Sequence, residues 1–190
     1  RWGRRSLHAP RPVRAAAHLG MSGAAMALCR VTRVTIASGD NAAHDQPIVF
    51  QVTLDVVEPL REDAVFSVHY IVDPDRSELD VELDSMDVGE GPGLSKGVFQ
   101  FEIEAPAPSR AVLEKCGGPL VVSGIYLKGL YRGDEFCRVG WYVRHEYPDE
   151  AMQDSPPEQV DWTRLRRVIS EPRITRFTIA WDGPAIGAAG

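Results

Sequence analysis

Between Asp134 and Tyr147 the chain runs D-E-F-C-R-V-G-W-Y-V-R-H-E-Y, and apolar and polar positions alternate along it. Cys137, Val139, Trp141 and Val143 fall on one side, while Arg138, Gly140, Tyr142 and Arg144 fall on the other. Successive side chains of an extended chain point in opposite directions, so a period of two predicts a strand with one buried face. Further runs rich in Val, Ile, Phe, Thr and Tyr predict strands at 31–36, 48–57, 65–72, 98–104, 120–131, 136–145 and 174–181. Turn formers separate them: S-G-D-N, D-P-D, G-E-G-P-G, E-A-P-A-P-S, C-G-G-P and R-G-D. Seven or more short strands with little helix between them imply a β-sandwich or barrel. One stretch reads otherwise. In D-W-T-R-L-R-R-V-I-S, Asp161 is a candidate N-cap, and Leu165, Val168 and Ile169 make an apolar stripe at helical spacing. Pro172 stops that helix near Ser170 or Glu171. With no internal repeat, a single domain over 31–182 is expected, preceded by a disordered or non-native basic leader at 1–30 and followed by a flexible tail at 183–190.

Charge changes this picture. The 190 residues carry a formal charge of -6, with 21 basic and 27 acidic side chains. Five of the basic ones, Arg1, Arg4, Arg5, Arg11 and Arg14, sit in the first twenty residues, which hold no acid. Such a leader has the composition of an organelle transit peptide or of upstream sequence foreign to the fold. The body that remains is strongly acidic. The stretch 55–104 alone holds fourteen acids against Arg61, Arg76 and Lys96. A surface of this sign repels phosphates, so no direct nucleic-acid partner is expected, and it suits basic proteins. No run approaches the roughly 18 apolar residues of a membrane-crossing helix, and no membrane partner is expected.

Three cysteines, Cys29, Cys116 and Cys137, are an odd number without metal-ligand spacing; free thiols in a reducing compartment are expected. D-P-D-R-S-E-L-D-V-E-L-D, from Asp73, begins like a calcium loop, but its sixth position is Glu78 where glycine is needed, and its twelfth is Asp84. It reads instead as a solvated acidic loop or an acidic docking surface. Cys137 and His145 lie eight residues apart on one strand, too far for a nucleophile and its base. His44, His69 and His145 lack metal spacing, and no phosphate loop, nucleophile elbow or zinc-protease motif occurs. With no catalytic constellation, no enzyme activity and no cofactor are expected. Tyr and Arg are the residues most enriched in binding hot spots, so the outward Arg138 and Tyr142 mark a candidate contact surface. The competing reading is that Tyr142 simply packs on Arg138 or Arg144 by cation–π contact.

The motifs R-G-D-E-F-C-R-V-G-W-Y-V-R-H-E-Y, L-D-S-M-D-V-G, S-P-P and P-R-I-T-R-F-T-I-A-W-D occur in one chain. With L-D-S-M-D-V-G upstream of the other three, their order and spacing resemble the anti-silencing function histone chaperone family. The resemblance runs from about 31 to 182. It implies an all-β, immunoglobulin-like β-sandwich of about ten strands with a few short helices. It also implies binding of a heterodimer of core histones three and four, occupation of the surface through which two such dimers pair, and a nuclear location, with the cytoplasm as a second site. No cofactor is implied.

By the same resemblance the histone-three site falls on Asp75, Asp80, Gly124, Tyr126, Arg138 and Tyr142, and the site for the carboxyl-terminal strand of histone four on Arg173 and Thr175. A groove for the short basic peptides of chromatin assembly factors falls on Glu62, Asp63, Val88 and Phe99, and Phe177, Ile179 and Trp181 belong to the core. Some positions depart from the family pattern. Gly124 replaces a branched apolar residue, Tyr126 an aliphatic one and Gly118 an acid. Trp141 replaces a tyrosine, and Arg144 and His145 replace two asparagines. The Tyr126 ring is expected to cover the gap at Gly124. An immunoglobulin-like adaptor that does not bind histones, and a small enzyme using Cys137 or the acidic loop, are the readings from other classes.

Overall fold

The computed structural model describes residues 27–181. Ten strands alternate with turns: β1 Cys29–Ile36, β2 Asn41–Ala43, β3 Ile48–Val56, β4 Ala64–Ile71, β5 Val81–Val88, β6 Gly97–Ala105, β7 Ser123–Tyr131, β8 Asp134–Glu146, β9 Arg166–Ile169 and β10 Arg173–Arg176. Two short helices, α1 Arg110–Lys115 and α2 Glu150–Asp154, lie between them. A three-stranded sheet in the order β1-β3-β6 faces a larger sheet in the order β2-β9-β8-β7-β4-β5, and β10 pairs with the first half of β8. All pairings are antiparallel. The fold is therefore an all-β, immunoglobulin-like sandwich.

Alternation explains why the sheets stack. In β3 the residues Ile48, Phe50, Val52, Leu54 and Val56 are buried, and the positions between them are not. Aromatic rings bridge the layers: Phe50 meets Trp141 at 5.1 Å between ring centroids, and Phe66 meets Phe101 at 4.9 Å. Cys29 and Cys137 are both buried in this core, and burial pushes each thiol up to about 12. They act as small apolar side chains, since the thiolate that reactivity requires is suppressed.

The helix expected at 161–170 is a turn followed by a strand. Asp161 caps only that turn, accepting from the Thr163 amide at 3.1 Å, and β9 then pairs with β2 on one side and β8 on the other. Burial along it alternates, and the inward residues are Ile169, which joins the core, and Arg167, which is 0% exposed. Its guanidinium donates to the backbone carbonyls of His44, Gln46 and Pro47. The helical stripe of Leu165, Val168 and Ile169 lost to these pairings because a strand places Arg167 where its donors meet three acceptors.

Other boundaries shift as well. The first strand starts at Cys29, and the chain opened by D-P-D becomes β5 from Val81, with a short 3-10 turn at Ser77–Leu79 before it. The A-P-A-P-S turn leads into α1, where Ser109 Oγ accepts from the Val112 amide. Residues 120–122 are exposed lead-in to β7 rather than strand. The last strand ends at Arg176. Phe177, at 42% exposure, is outside the core, whereas Ile179 and Trp181 pack against it. Of the leader expected at 1–30, residues 1–26 lie outside the described residues, as does the tail at 183–190, while Cys29 and Arg30 belong to β1.

His145 is buried beside Arg167, its register partner on β9. Burial first, then the neighbouring Arg167 charge and His44, lower its pKa to about 4. The unfolded chain therefore binds a proton below the ordinary histidine value of 6.5 that the folded chain refuses until about 4. Stability contributed by neutral His145 is present above the former value and is lost as pH falls towards the latter. Urea unfolding at pH 4.5 should show a loss of roughly 2 kcal/mol relative to pH 7 that His145→Gln removes.

Candidate functional site

The outward faces of β7 and β8 form the floor of a cleft. Gly124 and Tyr126 project from β7, Arg138, Gly140 and Tyr142 from β8, and Arg173 and Thr175 from β10. Register places Tyr126 opposite Gly140 and Gly124 opposite Tyr142, so each ring flanks a glycine on the next strand. The segment from Ile71 to Asp80 makes one wall, and Val121 and Val122 make part of another, enclosing about 560 Å³. Of the eight residues assigned to histone binding, seven line this one space. Asp75 sits on the same acidic loop but outside the lining; its amide donates to Asp73, whose carboxylate also holds Arg76 at 2.7 Å.

Tyr126 organises the floor. Its hydroxyl donates to Asp80 Oδ2 at 2.7 Å, while Asp80 Oδ1 is buried with no hydrogen-bond partner among the described residues. Burial and then the Asp80 hydrogen bond push the phenol up, so it stays a donor. His69 of β4 stacks on the ring at 5.1 Å and 10°, and the Arg138 guanidinium of β8 lies 4.7 Å from its centroid. Since β4 and β8 flank β7, these partners approach Tyr126 from opposite neighbouring strands. Burial, then the Lys128 charge, lowers the His69 pKa, although Glu82 and Asp80 oppose this, so the imidazole is neutral at neutral pH.

Arg138 is held by Glu135 through two bonds of 2.7 and 2.8 Å, and the carboxylate raises its pKa. Residues three apart on a regular strand face opposite sides. Here the β7–β8 register slips between Gly129 and Leu130, so that Cys137 and Glu135 become successive partners and Phe136 is extra. The bulge turns Glu135 onto the face of Arg138. Sequence alternation offered no sign of this partner. Tyr142, 56% exposed, packs neither on Arg138 nor on Arg144: Arg173 lies 5.3 Å from its ring, while Arg144 pairs with Glu146. Ser170 fixes its backbone, with Oγ accepting from the Tyr142 amide at 2.9 Å.

The four residues assigned to the peptide groove do not share an open surface. Val88 is fully buried and Phe99 is 9% exposed, because both face inward between the sheets. Asp63 is half-buried and its Oδ1 accepts from the Gly93 amide at 2.7 Å, tying down the turn after β5. Glu62 is exposed and pairs with Arg132 at 2.7 Å. Gly124 also differs from expectation, since the side chain above it belongs to Ile71 and not to Tyr126. Among the described residues no cluster of His, Cys, Asp or Glu is arranged to hold a metal ion, the acidic loop included.

The cleft floor carries arginines and tyrosines, residue types enriched where proteins meet. The family model for ASF1-like histone chaperones matches residues 26–182. The chain belongs to the ASF1-like histone chaperone family. It is 37% identical over 166 residues to the histone chaperone ASF1 of Mycosarcoma maydis, covering 86% of this chain and 92% of that protein. With histone chaperone ASF1B of Mus musculus it shares 35% identity over 159 residues, 83% of this chain and 76% of the relative. A 37% match over 139 residues to ASF1 of Chaetomium globosum covers 72% of this chain and 49% of that protein. Histone binding and chromatin assembly are the province of this family, and the matched span takes in both sheets and the whole cleft.

Proposed function

We propose that this ASF1-like chain holds a dimer of core histones three and four in the cleft. There it covers the surface by which two such dimers pair, keeping them apart during nucleosome assembly and disassembly in the nucleus. The role is binding, not catalysis. The observation that supports this best is the convergence of Asp80, Gly124, Tyr126, Arg138, Tyr142, Arg173 and Thr175 on one lining. Each has a chemical use. Asp80 brings a carboxylate to the lining that suits a basic side chain of a histone helix, and the Tyr142 ring offers a broad apolar face. β10 pairs with β8 along one edge, all four of its residues are exposed, and its other edge suits an added strand from histone four. Chromatin assembly factors with short basic motifs would meet Glu62 by competing with Arg132.

Titration of the protein with a fluorescent dimer of histones three and four tests the proposal. Shape-specific contact survives salt, whereas diffuse acidic attraction is screened once the Debye length falls to about 3 Å near 1 M. Nanomolar binding that persists at about 0.5 M salt is expected; loss of all binding there would sink the reading. Gly140 supplies a sharper probe, because a Cβ placed on it meets nothing within 4 Å and would stand in the open cleft. Gly140→Val should leave the melting temperature within about 3 °C of wild type and weaken binding at least about tenfold.

A further inference from the structure

We infer that Ile71 and Gly124 work as one unit, the isoleucine forming the apolar knob of the cleft floor and the glycine being small enough to let it lie there. This rests on the histone-dimer reading of the same cleft. Ile71 ends β4 and is the register partner of Gly124 on β7. Gly124 has no left-handed backbone conformation that would call for glycine. Size is what matters. A Cβ built on Gly124 would stand 2.7 Å from Ile71 Cδ1 and 3.5 Å from its Cγ1, well inside ordinary contact. The isoleucine occupies the volume that a side chain at 124 would fill.

The knob is also anchored. The Ser123 hydroxyl donates to the Ile71 carbonyl, and the Cys116 thiol lies 3.7 Å from the same oxygen. Strand β4 is thereby fixed where Ile71 leaves it, and its half-buried side chain lines the cleft beside Val121 and Val122, the latter 61% exposed. An apolar side chain on a partner helix would find its floor contact on Ile71, with the valines as the adjoining wall.

Four proteins are compared: wild type, Ile71→Ala, Gly124→Val and the double variant. Binding to the histone dimer is titrated, and melting is followed by circular dichroism. Ile71→Ala should weaken binding about tenfold with little change in melting. Gly124→Val should weaken it comparably, because the valine pushes Ile71 off its seat, and should lower the melting temperature by about 3 °C. In the double variant the valine takes the vacated space, and both binding, to within about threefold of wild type, and melting should recover. Losses that multiply in the double variant, or a Gly124→Val protein that binds and melts like wild type, would overturn the inference while leaving the histone reading intact. A wild-type protein that binds no histone dimer would overturn the reading and the knob together.

Discussion

An Arg138→Glu, Tyr142→Ala double variant is expected to bind the dimer of histones three and four at least about 100-fold more weakly than wild type, with melting changed by no more than about 3 °C. The two effects separate because of where the side chains sit. Tyr142 is more than half exposed and Arg138 is partly exposed, so neither carries much of the folding energy. Within the cleft, however, they are central. Arg138 is oriented twice, by two bonds from Glu135 and by the face of Tyr126, and a preorganised guanidinium loses little freedom when a partner arrives. Reversing its charge beside Glu135 and Asp80 repels what a partner's polar groups had matched. Removing the Tyr142 ring deletes the broadest apolar contact and frees Arg173 from its seat. Central aromatic and arginine anchors cost about 2 kcal/mol or more each on truncation, without strict additivity, which makes about 100-fold a conservative expectation. Fluorescence titration of both proteins measures it, and equal affinities would show that acidic charge alone attracts histones.

Arg167→Met is expected to lower the melting temperature by about 8 °C, corresponding to about 3 kcal/mol. The guanidinium is fully buried, and burial drops its pKa to about 10. Two terms compete. Methionine removes a costly buried charge, but it strands the carbonyls of His44, Gln46 and Pro47, which hold the turn between β2 and β3 against β9. The His44 acceptor is buried and those of Gln46 and Pro47 are part-buried. A buried acceptor left without a donor costs about 1–3 kcal/mol, and with the two part-buried ones added the loss outweighs the relief of one desolvated cation. Thermal denaturation decides which term wins. A variant as stable as wild type would show that desolvation dominates; in that background the pH effect of His145→Gln should shrink but persist, since burial sets most of the His145 shift and the Arg167 charge adds to it.

What the sequence made legible follows from how local each signal is. The alternation in β8 depends only on its own residues, so its buried and exposed faces, including outward Arg138 and Tyr142, could be read directly. In β5 the alternation of apolar residues with acids changes phase between Leu83 and Met86, where the pairing with β4 slips, and the density of charge beginning at Asp73 hid a strand behind the look of a loop. β9 was illegible for another reason. The groups that make Arg167 an inward residue are carbonyls some 120 positions upstream, and nothing local in R-R-V-I announces them. Glu135 was missed because a bulge reverses its face, and a bulge is set by the slip against β7. The seat of Ile71 over Gly124 is likewise a fact of cross-strand register. The family resemblance reached the cleft residue by residue, yet it could not say that Val88 and Phe99 are sealed in the core.

Light scattering on a mixture of this protein with histones three and four at moderate salt tests the central claim most directly. The expected mass is that of one chain with one dimer of the two histones. A mass corresponding to an intact tetramer of histones carrying one or two chains, or no complex at all, would contradict it.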